Sequence, residues 1–130
     1  MKYLSEIMEK RQSELFKNKK VFFAFSNDQF KKGLLEHKIA KDIKMVSMGA
    51  GMYCPKSNAK DVDESLHTIY KESIIEDMKQ GNQKVILREL YNHECFYTGD
   101  ITDCVEKLSD YPITEEEIKN VYFKNYENEV

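Results

Sequence analysis

Val21-Phe22-Phe23-Ala24-Phe25-Ser26-Asn27-Asp28-Gln29-Phe30 is the stretch whose reading decides the fold. Its first five residues form an uninterrupted apolar run, too short for a helix and rich in β-formers, as expected of a strand covered on both faces. A helix starts directly behind it. Ser26 reads as an N-cap and Gln29, three residues on, completes a capping box that opens a helix through about Glu36. A strand that feeds straight into a helix is half of a β-α-β unit, and residues 21–25 are the expected central strand.

The neighbouring segments extend this pattern. Lys44-Met45-Val46-Ser47-Met48 reads as a second strand, ended by Gly49-Ala50-Gly51, and Met52-Tyr53-Cys54 as a short third strand before Pro55. Upstream, Leu4, Ile7, Met8 and Leu15 recur at helical spacing from Tyr3 to about Lys17. Downstream, Val62, Leu66, Ile69, Tyr70 and Ser73 mark one face of a long helix that runs to about Gln80 and stops at Gly81. A further helix from near Gln83 carries Ile86, Leu87, Leu90 and Tyr91 into Asn92-His93-Glu94 and ends before Gly99. Two more cover residues 101–108 and 115–126; Thr114 and Glu117 form the capping box of the second, and Ile118, Val121, Tyr122 and Tyr126 its buried stripe. The expected fold is α+β, a single compact domain over residues 1–130. It has a small two- or three-stranded sheet with a β-α-β unit, packed against about five or six helices, and a mostly helical C-terminal half.

The 130 residues are 41% hydrophobic and 33% charged, enough apolar material for a core. Lys and Arg total 20 against 23 Asp and Glu, a net charge of −3, so there is no positive excess to hold phosphate backbones without sequence preference. No segment has the apolar length of a signal peptide core or a membrane span, so a cytoplasmic protein that contacts no membrane is expected. Cys54, Cys95 and Cys104 are odd in number and lack C-x-x-C spacing, which argues for reduced thiols rather than a disulfide framework or zinc ribbon.

Two segments carry candidate chemistry. If the strands at Val21 and Met45 are parallel, Ser26-Asn27 and Gly49-Ala50-Gly51 both lie at carboxyl ends of strands, where α/β sheets hold ligands. There the amides of a helix N-terminus, with Ser26, Asn27 and Gln29, can position a polar group, and Gly49 and Gly51 permit close backbone approach. The structural alternative is that Ser26 and Gln29 only cap the helix and the glycines only turn the chain. No phosphate-loop or dinucleotide motif is present, and no cofactor is expected.

The second segment is Arg88-Glu89-Leu90-Tyr91-Asn92-His93-Glu94-Cys95. If its helix continues to Tyr97, then Ile86, Leu90 and Tyr97 fall on one line and Glu94 lies within that apolar stripe, with His93 at its edge. A buried carboxylate beside a histidine makes His93 and Glu94 candidates for acid and base, with Asn92 and Tyr97 as binding partners. Glu89 and His93, at i and i+4, can share a ligand but are only half of a metal site, and His37 and His67 have no spacing that completes it. Arg88 and His93 also have the R-x-x-x-x-H spacing that resembles the HEPN ribonucleases, a wholly helical family that the strand at Val21 does not fit. A surface ion pair for Arg88 and a helix-end hydrogen bond for His93 are the structural alternative. Finally, Tyr91, Tyr97, Tyr111, Tyr122 and Tyr126 crowd the last third of the chain. With Glu115, Glu116, Glu117, Glu127 and Glu129 they suggest a tyrosine-studded acidic surface suited to a basic protein partner.

Taken together, the F-S-N-D-Q-F run at residues 25–30, the Val46-to-Gly51 glycine turn and the Glu89-to-Glu94 segment resemble a family of small phage, prophage and bacterial proteins of unknown function. The resemblance covers about residues 20–120. It brings no activity, but it implies that Asn27, Gln29, Asn92, His93 and Glu94 form one polar centre. The leading expectation is a small phage- or prophage-type binding protein that docks onto a host protein in the host cytoplasm and modulates or inhibits it, anti-defence activity included. A homodimer is a further option. The competing expectation is a polar-ligand- or metal-dependent enzyme or ligand-binding domain built on Asn92-His93-Glu94.

Overall fold

A computed structural model describes residues 1–129, with side chains as far as Glu127. It divides into two compact units, Lys2–Ser73 and a second beginning at Ile74. The fold is α+β: a three-stranded antiparallel sheet and, among the described residues, seven α-helices, four of which make up the C-terminal half.

The first unit contains α1 (Leu4–Asn18), β1 (Phe22–Phe23), α2 (Asn27–Glu36), β2 (Met45–Gly49), β3 (Met52–Pro55) and most of α3 (Ala59–Met78). Alternation along a strand sends successive side chains to opposite faces, and this sorts the core. Val21 joins Cys54 and Val62, with Phe16, Met52 and Leu66 packed around them, on the side of α1 and α3. Phe22 and Ala24 join Ile39, with Phe30, Leu34 and Tyr53, on the side of α2. The sheet is therefore covered on both faces, as the apolar run implies.

The strand order is β1-β3-β2, with β3 antiparallel to both neighbours. β1 and β2 consequently point the same way, α2 links them, and β3 is inserted between. This corrects the expected position of β1, which is a two-residue edge strand rather than the central one. The reason lies in the turn: Ala50 and Gly51 both have positive φ (51° and 79°), the geometry of a tight hairpin. That hairpin folds β3 back onto β2, so the middle of the sheet is taken by β3.

α2 rests on the sheet at Gly33, where a Cβ would lie 2.3 Å from the Phe22 ring. Phe22 is itself buried, so there is little room for it to retreat.

The second unit packs the end of α3 with α4 (Asn82–Asn92), α5 (Cys95–Thr98), α6 (Thr102–Lys107) and α7 (Glu115–Glu129). Val85, Ile86, Leu90, Cys95, Cys104, Leu108 and Ile118 are its fully buried apolar residues. Among them lies a carboxylate, Asp77, with no exposed surface. Arg88 donates to it through both terminal nitrogens, at 2.7 and 2.9 Å, Gln80 donates at 2.6 Å, and the Tyr111 hydroxyl also donates. Burial alone pushes the Asp77 carboxyl up, but Arg88, Tyr111 and Gln80 outweigh it and hold the carboxyl below its ordinary value. Burial, and then the Asp77 charge, push the Tyr111 hydroxyl up. Arg88 is thus a buried structural group, not the surface ion pair expected from the sequence.

Two stability predictions follow from this packing. Asp77→Asn removes the charge that balances buried Arg88 and should cost about 3–5 kcal/mol at pH 7, read by urea unfolding. Because the folded Asp77 pKa is depressed, its contribution is complete above the unfolded value of about 3.9 and fades as pH falls through the folded one. The gap between wild type and Asp77→Asn should therefore narrow below about pH 4; a gap unchanged at pH 3 would contradict the assignment. Separately, Gly33→Ala should lower stability by about 1–3 kcal/mol through overpacking against Phe22, despite the better helix propensity of alanine. A raised melting temperature would refute that.

Candidate functional site

At the carboxyl end of β1 the chain enters α2 through the expected cap. The Gln29 amide donates to Ser26 Oγ at 3.2 Å, and Gln29 Oε1 accepts from the Phe25 amide at 2.7 Å. The Gln29 side chain is thus engaged by the backbone one residue before the cap. The Ala24 amide donates to the Gly51 carbonyl at 2.8 Å and ties the β2–β3 turn to this corner. The positive φ of Gly51 (79°) strains any other residue there, and a Cβ would also press on the exposed Phe25 ring. Between them is an open hollow of about 550 Å³ lined by Ala24, Phe25, Ser26, Asn27, Phe30, Gly51 and Tyr53. Ser26, Asn27 and Gly51 therefore meet at the strand ends, whereas Gly49 and Gln29 do not line the hollow. The exposed start of α2 and the Asn27 amide can offer hydrogen bonds to a small polar group there.

The Asn92-His93-Glu94 segment differs from its expected form. α4 ends at Asn92, His93 is its C-cap, and Glu94 takes a left-handed conformation (φ 54°) before α5 begins at Cys95. The apolar line through Ile86 and Leu90 is broken at that point. Glu94 is exposed, Tyr97 is 90% exposed, and Cys95 takes the buried place that a continuous helix would have assigned differently. Glu94 is accordingly not a buried carboxylate; Asp77 and Glu89 are. Glu89 Oε2 lies 3.5 Å from Arg88 Nε, and neither that oxygen nor the buried His93 Nε2 has a hydrogen-bond partner among the described residues. No cluster of three or more His, Cys, Asp or Glu among the described residues is able to hold a metal ion. Asn27 and Gln29 belong to the first unit, and Asn92, His93 and Glu94 to the second. The three cysteines are free and buried, and burial raises the pKa of each thiol, Cys104 to about 12.

A continuous chain of aromatic contacts joins α4, α5 and α7. Tyr91 contacts Phe96 at 5.4 Å between ring centroids, and Phe96 stacks on Tyr122 at 5.2 Å with the planes 11° apart. Tyr122 then contacts Phe123 at 5.3 Å and Tyr126 at 5.6 Å. Tyr122 is buried beneath this chain, whereas Tyr91, Phe123 and Tyr126 are 50%, 69% and 41% exposed. Tyr126 thus leaves the buried stripe of α7, while Ile118, Val121 and Tyr122 keep it. Tyr111 serves the core. Phe96 and Phe123 were not singled out by the sequence reading. Their signal was adjacency: each neighbours a tyrosine in sequence and, once the helices pack, joins the same ring cluster.

Charge is divided unevenly along the chain. Residues 2–73 carry 14 Lys and Arg against 10 Asp and Glu, whereas residues 74–130 carry 6 against 13. The acidity of the protein therefore belongs to the segment that bears the aromatic surface. On α7, Glu115 pairs with Lys119 at 3.7 Å, and the Glu117 amide donates to the Thr114 hydroxyl as expected of the cap. The side chain of Glu129 lies outside the described residues.

A family described as "Family of unknown function (DUF7659)" matches residues 4–126. No curated protein and no solved structure matches the chain.

Proposed function

The chain belongs to this family of unknown function, and we propose that it is a small protein-docking module of phage or prophage type, which binds a host protein through the α4–α5–α7 aromatic surface. Binding there modulates or blocks the host protein, in the manner of an anti-defence factor acting in the host cytoplasm. The observation that carries this reading is the unbroken chain of rings from Tyr91 to Tyr126, in which Tyr91, Phe123 and Tyr126 are open to solvent. Exposed aromatic residues in one contiguous patch mark interaction sites, because rigid rings bury much area at small entropic cost. No helix among the described residues is long and apolar enough to cross a membrane, so the patch does not belong to a spanning helix.

The hollow at the strand ends supports a second reading, a domain that holds a small polar ligand at Asn27. The Asn92-His93-Glu94 segment offers that reading less, since Asn92 and Glu94 are exposed at a helix break.

Affinity capture from host lysate separates the two. A partner retained by wild type and lost by a Phe123→Ala/Tyr126→Ala double variant of unchanged melting temperature is the expected result; equal recovery by both would refute docking through this surface. The loss should be roughly tenfold or more in retained partner, as for removal of two interface aromatics. For the second reading, a melting shift with one member of a nucleotide and metal panel, abolished by Asn27→Ala, is expected, and a flat response across the panel rejects it.

A further inference from the structure

Resting on the docking reading, we infer that the occupant of the aromatic surface is a basic protein segment whose arginine side chains lie against the exposed rings. The rings alone would suit any apolar partner; the charged groups around them narrow the choice. On α7, Glu116, Asn120 and Glu127 stand seven and three residues before and four after Phe123, which places all of them on one helix face. All are exposed. Glu94 is exposed between Tyr91 and Tyr97 in sequence, at the corner where α4 gives way to α5.

None of Glu94, Glu116 and Glu127 has an ion-pair or hydrogen-bond partner for its side chain among the described residues. Of the two lysines on α7, Lys119 is paired with Glu115 and Lys124 adjoins Phe123, so the exposed carboxylates Glu116, Glu117 and Glu127 outnumber the cation left over. The surface is thus a set of solvent-open rings with carboxylates at its margin, within a segment carrying 13 acidic against 6 basic residues.

That combination selects among partners by charge. It repels phosphate backbones and anionic headgroups, and it repels a second copy of itself presented face to face. It attracts cations, and the faces of Tyr and Phe rings carry the negative part of the ring quadrupole. A guanidinium answers both features: it stacks flat on an aromatic face and still directs its N–H groups in-plane to a carboxylate. Lysine meets the charge but not the stacking geometry. A basic segment rich in arginine is therefore the occupant that uses both the rings and the acids.

The test is a titration of the full chain with a fluorescent oligo-arginine peptide and with its citrulline counterpart, which keeps the shape and loses the charge. Binding of the arginine peptide at least about tenfold tighter than the citrulline peptide is expected, weakening as salt rises. Phe123→Ala/Tyr126→Ala should weaken it about tenfold, and Glu116→Gln/Glu127→Gln about fivefold. Glu106→Gln, on α6, should leave it unchanged. Equal affinity for the two peptides, or equal loss from Glu106→Gln and Glu116→Gln/Glu127→Gln, overturns the inference. If the arginine peptide fails to bind while lysate capture still depends on Phe123 and Tyr126, the arginine inference falls and the docking reading stands; if capture is equally indifferent to both residues, both fall.

Discussion

A carboxylate with no exposed surface is tolerable only if every lone pair and its charge are answered, and Asp77 is answered four times. Arg88 supplies two parallel N–H bonds and the counter-charge, Tyr111 and Gln80 supply the rest. Asp77 stands at the end of α3, and its partners come from the turn that follows it, the middle of α4 and the loop ahead of α7. One buried group thereby sets the register of several segments, because sliding any of them by one residue would strand a charge in the core. Ile86 and Leu90 flank Arg88 on α4 and are fully buried, so the same helix contributes both the polar tie and the apolar wall.

The aromatic surface depends on that register. Tyr91 follows Arg88 by three residues on α4, so once the guanidinium is fixed on Asp77 the position of Tyr91 is fixed with it. Phe96 then reaches Tyr122 across α5 and α7, and Tyr122 stays buried beneath the rings that remain open. The patch is in this sense a consequence of the core. Its rings are held by contacts with one another and by α4, which lowers the entropy that a partner must still remove on binding.

Much of the fold was legible because it is local. The Ser26 cap, the glycine turn at Gly49 to Gly51, the stop near Gly81 and the Thr114 cap are each written within a few residues, and each appears where the pattern places it. The rank of β1 was not legible, since five apolar residues in a row say that both faces are covered but not which neighbours supply the hydrogen bonds. Pairing is a nonlocal choice, and the two-residue hairpin turn decides it for β3. The break at Glu94 was hidden for a different reason. Periodicity presumes that the helix continues, and a left-handed glutamate is not a residue that announces a stop. The candidate site was therefore read only in part: Ser26, Asn27 and Gly51 do come together, whereas Glu94 goes to the surface.

The buried charge that periodicity sought lay elsewhere: Glu89, five residues earlier on α4, and Asp77, on α3, are the buried carboxylates. Val62, Leu66, Ile69, Tyr70 and Ser73 define the inner face of α3, and the next step of four along that face is Asp77. Followed one turn further, the same stripe leads from apolar residues through a buried serine to the buried carboxylate. Net charge concealed the complementary fact. A total of −3 looks unremarkable, yet it is the sum of a positively charged stretch before Ser73 and a strongly negative one after it. Charge averaged over a chain speaks to solubility, whereas recognition depends on where the charges lie. Here the acids outnumber the bases in the segment that carries the exposed rings, and Glu116 and Glu127 share a helix face with Phe123.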